Sequence, residues 1–146
     1  MQVTVTYLGT PYQLETSARG HSIKTDAVDS AKNGTDDELN PHEHFLGSLG
    51  ECAAMTMLMY AKRKGWTVDK LTVVVTEDKI DDPEDKSATP AKIPRIRVVA
   101  TPEGSTLTDE QIAKLKEVGE KCPVKKLVME RKVIELEVKP STAASK

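Results

Sequence analysis

Cys52 and Cys122 are the only cysteines in this chain of 146 residues, and their chemistry is the first thing the sequence offers. A thiolate is a nucleophile that can be oxidised to a sulfenic acid, and a second thiol within reach converts that acid to a disulfide. Cys52 lies eleven positions past Pro41, about 16 Å along a helix axis and beyond the first turn where the helix dipole acts. A reactive thiol there needs a cation brought from elsewhere; without one, Cys52 is a small hydrophobe in a packed helix. Cys122 precedes Pro123 and has Lys121, Lys125 and Lys126 nearby. It reads either as the N-cap of a short helix, where dipole and ammonium groups favour thiolate, or as a packing residue on the apolar face of the helix before it. His42 and His44 flank Glu43, but positions two apart on a helix face different ways, which argues against a shared metal. Met55, Met57 and Met59 read as core filler.

The element that must carry Cys52 is one long helix from Pro41 to Lys64. Asn40 is a good N-cap, Pro41 suits the first helical position, and Glu43 completes a capping box. Between Phe45 and Ala61 only Glu51 is charged, so other elements must enclose the helix. Lys62, Arg63 and Lys64 complement its C-terminal end, Gly65 stops it, and Trp66 anchors that end. Upstream, residues 2 to 8 alternate as a half-buried strand, followed by short strands at Tyr12 to Thr16 and His21 to Thr25. Arg19 therefore sits at a turn, in Ala18-Arg19-Gly20-His21. Asp26 to Leu39 reads as a polar surface loop with a turn signal at Asn33-Gly34.

Downstream, Leu71 to Thr76 and Arg95 to Ala100 read as hairpin partners joined by the exposed connection Asp81 to Ala91. Thr108 and Gln111 form a second capping box, and Ile112, Leu115, Val118 and Cys122 share one face of the helix that follows. Pro123 opens a third, short helix with Val124, Leu127 and Val128. Ile134, Leu136 and Val138 alternate with Glu135 and Glu137 as a last strand. Strands segregated from helices in this order indicate an α+β fold, antiparallel sheet with a long buried central helix, in a single domain over residues 1–139. Residues 140–146 read as a disordered tail.

Composition narrows the partners. A formal charge of −2 with no basic block gives no footprint for nucleic acid or an anionic membrane. Residues 45 to 61 are too short and too polar for a membrane span, and the N-terminus lacks a secretory pattern, so a cytoplasmic protein is expected. One Trp, three Tyr and one Phe supply little cover for a helix apolar on every face. A second copy of the chain is expected to cover part of it.

The run Asn40-Pro41-His42-Glu43-His44-Phe45-Leu46-Gly47-Ser48-Leu49-Gly50-Glu51-Cys52-Ala53-Ala54-Met55-Thr56-Met57, followed by Met59-Tyr60-Ala61, Arg63-Lys64-Gly65-Trp66 and the later Cys122-Pro123-Val124, resembles the OsmC/Ohr family of thiol-dependent hydroperoxidases, in its OsmC-like branch. The resemblance implies an intertwined homodimer that reduces organic hydroperoxides. By it Cys52 matches the peroxidatic cysteine and Cys122 the resolving one, Arg19 matches the arginine that supports the thiolate, and Glu43 matches a glutamate that can pair with that arginine. It further implies an external dithiol reductant, such as a lipoyl protein, and no metal or organic cofactor. Two positions depart from the family pattern: Glu51 replaces a small residue before the cysteine, and His42 stands where the Ohr branch tends to carry an acid. The alternative reading is a non-catalytic homodimer of the same fold that binds a small ligand or serves a structural role.

Overall fold

The computed structural model describes residues 1–10, 12–27, 34–103 and 106–140. The chain begins as an antiparallel meander of β1 (Thr4–Tyr7), β2 (Leu14–Ala18) and β3 (His21–Thr25) in the order β1-β2-β3. Ala18 pairs with His21, so Arg19 and Gly20 alone make the turn, with φ of 53° and 81°. Such a two-residue hairpin needs positive φ at both centres, which costs little at Gly20 and strains Arg19. The second strand begins two residues later than the alternation suggested, and Pro11 of the first turn lies outside the described residues.

Helix α1 (Pro41–Arg63) starts on the expected capping box. Asn40 Oδ1 accepts from the backbone N–H of His42 and Glu43 at 2.9 and 3.0 Å, and Glu43 Oε2 accepts from Asn40 N–H at 2.9 Å. At the other end Gly65 takes φ of 70°, letting Trp66 N–H reach Ala61 O at 2.9 Å and Gly65 N–H reach Lys62 O at 3.1 Å. The Trp66 ring then packs edge-on against Tyr60, 5.6 Å between centroids, closing the helix end as a packing anchor.

Strands β4 (Lys70–Asp81) and β5 (Lys92–Glu103) form one long hairpin, in register from Lys70 with Glu103 to Asp81 with Lys92. Helices α2 (Asp109–Gly119) and α3 (Pro123–Met129) follow, and α1 packs against β4, β5, α2 and α3. Thr108 and Gln111 form the second capping box. The architecture is α+β, with antiparallel sheets, a long central helix and two shorter helices. Its core joins Ala53, Met57 and Ala61 of α1 to Leu115 and Cys122.

Of the two readings of Cys122 the N-cap holds, since α2 ends at Gly119 and Cys122 caps α3. Two expectations are revised. The stretch from Asp26 onward is not simply a surface loop, because Asp26 is 1% exposed. Its carboxylate accepts from the backbone N–H groups of Ala27, Thr35 and Asp37 and from the Thr35 hydroxyl, and the Thr35 hydroxyl bond chiefly holds its pKa below the usual carboxylate value. Of the expected turn at Asn33-Gly34, Asn33 lies outside the described residues. Finally, residues 131–140 form no strand: Ile134, Leu136 and Val138 stand 86, 91 and 87% exposed. A strand exists only when an edge pairs with it, and among the described residues none does. The expected disordered tail lies outside the described residues from 141 onward.

The apolar surface left open extends well beyond that segment. Helix α1 is buried along Leu49, Gly50, Ala53, Met57 and Ala61, while Phe45, Met55, Leu58 and Met59 are exposed. The meander leaves Val5, Tyr7 and Ile23 exposed and packs extensively on no other element among the described residues. We expect light scattering at micromolar concentration to give twice the chain mass, and Leu136→Lys with Val138→Lys to shift the protein toward monomer. A clean monomer mass for the unaltered chain would overturn the expectation.

Candidate active site

Cys52 reaches the core from the middle of α1 and Cys122 from the start of α3. Cys122 is 1% exposed and belongs to the buried cluster; Cys52 is half-buried and packs against that cluster. Both thiols are free. The pKa of Cys122 is raised, chiefly by burial; the Cys52 thiol adds to the rise and the Lys125 backbone N–H opposes it. That N–H donates to Cys122 Sγ at 3.3 Å, so the sulfur is the cap acceptor of α3.

The lysines expected to favour a Cys122 thiolate are engaged elsewhere. Lys121 pairs with Glu117 at 2.7 Å, Lys125 with Glu120, and Lys126 with Glu130 at 3.6 Å. Glu117, held between Lys114 and Lys121, has its pKa lowered to about 2. Each ammonium therefore faces a carboxylate, and burial decides the state of the thiol. Sequence spacing located these lysines near Cys122 but gave no account of their partners.

Glu43 is exposed and its carboxylate is committed to the N-cap of α1. Arg19 is exposed at the β2–β3 turn and makes no hydrogen bond or ion pair with Cys52 or Glu43 among the described residues. One chain thus packs Cys52 and Cys122 together, and among the described residues neither Arg19 nor Glu43 is bonded to them. His42 Nε2 pairs with Glu77 Oε2 on β4, whereas His44 Nε2 contacts Lys24 O on β3 at 3.1 Å, so the two imidazoles tie α1 to different strands. Glu51 is exposed, as a position turned about 100° from Cys52 allows.

An apolar cleft of about 660 Å³ opens between α1, β5, α2 and α3, lined by Leu49, Met57, Ile96, Ala100, Leu115 and, on its wall, Cys122. Sequence reasoning overlooked it, because β5 showed only as the partner of β4. Its signal was the run of apolar residues Ile96, Val98, Val99 and Ala100, too apolar for a strand with one face in water. A second cavity of about 570 Å³ lies between the meander and the start of α1, lined by Tyr7, Tyr12, Leu14, Asp26 and Pro41, and includes neither thiol.

The family model described as OsmC-like protein matches residues 34–137, a span that holds both cysteines and Glu43 but not Arg19. No curated protein matches the chain. Among solved structures it is similar to a Psychrobacter arcticus protein assigned to osmotic stress induction and detoxification response, with 20% identity, TM-score 0.68 and 87% of each chain covered. An OsmC-like protein of Mycoplasma pneumoniae is 19% identical with TM-score 0.58, over 88% of this chain and 87% of that one. The organic hydroperoxide resistance protein OhrB of Bacillus subtilis is 16% identical with TM-score 0.57, over 88% of this chain and 91% of that one. These likenesses agree on the fold, and the family match spans the helix, the hairpin and both thiols: the chain belongs to the OsmC-like protein family.

Proposed function

We propose that the protein is a cysteine-based peroxidase that reduces organic hydroperoxides as a cytoplasmic homodimer. The observation that carries this reading is the packing together of two free thiols, one half-buried and one buried, with the buried one on the wall of an apolar cleft. Membership of the OsmC-like family adds support, as does likeness to a Bacillus subtilis organic hydroperoxide resistance protein.

In the proposed cycle the Cys52 thiolate attacks the peroxide O–O bond. One oxygen stays on sulfur as a sulfenic acid, and the other leaves with a proton as the alcohol. The Cys122 sulfur then attacks the Cys52 sulfur, water departs, and a disulfide closes. An external dithiol, such as a lipoyl group, returns two electrons and two protons. The roles are divided by exposure. Cys52 is the thiol that a substrate can meet, whereas the burial of Cys122 keeps it protonated until a sulfenic acid forms beside it. An apolar cleft beside the pair favours hydroperoxides with hydrocarbon substituents over hydrogen peroxide.

Arg19 is the cation assigned to Cys52 in this reading, and Glu43 the carboxylate that steadies it. Two features support the assignment of Arg19: its match to the family arginine, and its strained left-handed backbone, a cost that proteins tend to keep at functional positions. Glu43 has a competing duty at the helix cap, so its part in the reaction requires a rearrangement of that carboxylate.

Iodoacetamide at neutral pH should alkylate Cys52 in the native reduced protein and Cys122 only after unfolding, as peptide mapping would show. Cys52→Ser should abolish turnover of cumene hydroperoxide, while Cys122→Ser should still consume about one equivalent as the sulfenic acid forms. The reverse pattern would exchange the two roles, and two thiols inert to peroxide would favour a non-catalytic binding protein. Arg19→Ala should slow Cys52 oxidation by cumene hydroperoxide about tenfold or more while leaving the dimer mass and the thermal midpoint unchanged. An unchanged rate would remove Arg19 from the reaction, and a lowered thermal midpoint with the slower rate would give it a structural role instead.

A further inference from the structure

Helix α3 hangs on the sulfur that the proposed cycle consumes. It has seven residues, none of them buried, and Pro123 at its first position has no N–H to give. Its side-chain cap is Cys122 Sγ, which accepts the Lys125 N–H, and Cys122 itself is buried in the core. For a disulfide to close, the two free sulfurs must approach to about 2.05 Å. Which of them moves is a question of stiffness. Cys52 lies in the interior of a helix of 23 residues, beside the buried Ala53 and Met57, and its carbonyl also accepts the Thr56 hydroxyl at 2.7 Å. The short, exposed α3 is the softer side, so it is Cys122 Sγ that leaves Lys125. The disulfide sulfur that results is also a poorer acceptor than the thiol it replaces.

We propose that closing the Cys52–Cys122 disulfide uncaps α3 and loosens its packing against α1. The inference rests on the two-cysteine reading above. It deepens that reading by giving the buried Cys122 sulfur a route to the reducing dithiol. Oxidation takes one hydroperoxide and two thiols to an alcohol, water and a disulfide. The bond then holds α3 open until the dithiol restores two thiols, and the restored Cys122 caps the helix again.

The test is hydrogen exchange of the peptide covering α3, with intact mass read alongside, for reduced protein, protein oxidised with diamide, Cys122→Ala and Cys122→Ser. Oxidised protein and Cys122→Ala should both exchange about fivefold faster at α3, the factor that corresponds to loss of a typical helix cap, with α1 and α2 unchanged. Cys122→Ser keeps a cap oxygen and cannot close the bond, so it should match reduced protein before and after diamide. A mass lower by two hydrogens with α3 exchange unchanged would overturn the uncapping and leave the two-cysteine cycle standing. Failure of diamide to close the bond, or Cys122→Ala exchanging at the rate of the unaltered chain, would overturn it too. A bond closed by diamide but not by cumene hydroperoxide, with α3 freed, supports the uncapping and counts against the peroxidase reading alone.

Discussion

A Cβ on Gly50 would meet Val75 Cγ2 at 2.9 Å and Val73 Cγ1 at 3.5 Å. This close approach of α1 to β4 governs much of what lies around the thiols. It depends on the absence of a side chain at Gly50, and a matching contact recurs on the α2 side, where Met57 lies 3.3 Å from the place a Gly119 Cβ would occupy. With α1 seated on β4 and α2 drawn in at Gly119, the chain from Glu120 onward starts beside the middle of α1. Cys122, three residues past Gly119, is thereby delivered to Cys52. The thiols are thus brought together by two small residues that let backbones approach, and by no direct attraction of their own.

The electrostatics around the pair follow from that packing. A cysteine at an N-cap among lysines has the ingredients of an activated thiol, and the same cysteine at 1% exposure has the opposite tendency. Burial prevails because the lysine charges are neutralised by Glu117, Glu120 and Glu130, leaving the backbone N–H groups of Lys125 and Val124 to oppose desolvation. A thiol that stays protonated while its neighbour is the more exposed suits the second of two steps better than the first.

Much of the architecture was legible in the sequence wherever the controlling interaction is local. The Asn40–Glu43 and Thr108–Gln111 capping boxes, the Gly65 stop with Trp66 behind it, the Arg19-Gly20 turn and the Pro123 helix start each lie within a few residues, and each appears where the residue types put it. The Cys52–Cys122 pairing was reachable only through family resemblance, since no local rule brings residues 70 positions apart into contact. What went unread depends on distant partners. Asp26 is buried because Thr35 and Asp37 return to it, the lysines beside Cys122 are neutralised by glutamates on other turns, and Ile134 to Val138 has the strand alternation but no edge to join. The position of Arg19 relative to Cys52 belongs with these, because the meander that carries Arg19 packs extensively on no other element among the described residues.

The helical angles of α1 connect the open surface to the chemistry. At about 100° per residue, the buried stripe of Leu49, Ala53, Met57, Gly50 and Ala61 lies between about 60° and 180° from Cys52 in one sense. The open residues Met59, Met55 and Leu58 lie between about 20° and 120° in the other, and Phe45 stands about 20° toward the buried side. Cys52 therefore occupies the boundary between the covered and uncovered faces, which is why it is half-buried in the single chain. A second copy covering the Met55 and Met59 stripe would raise a wall beside Cys52 without reaching Cys122, which is already enclosed. The apolar burial that drives association and the shaping of the pocket around the thiol would then be one event. The two cysteines thus differ in what they need: Cys122 has its environment from the fold of its own chain, and Cys52 would acquire part of its environment from a second copy.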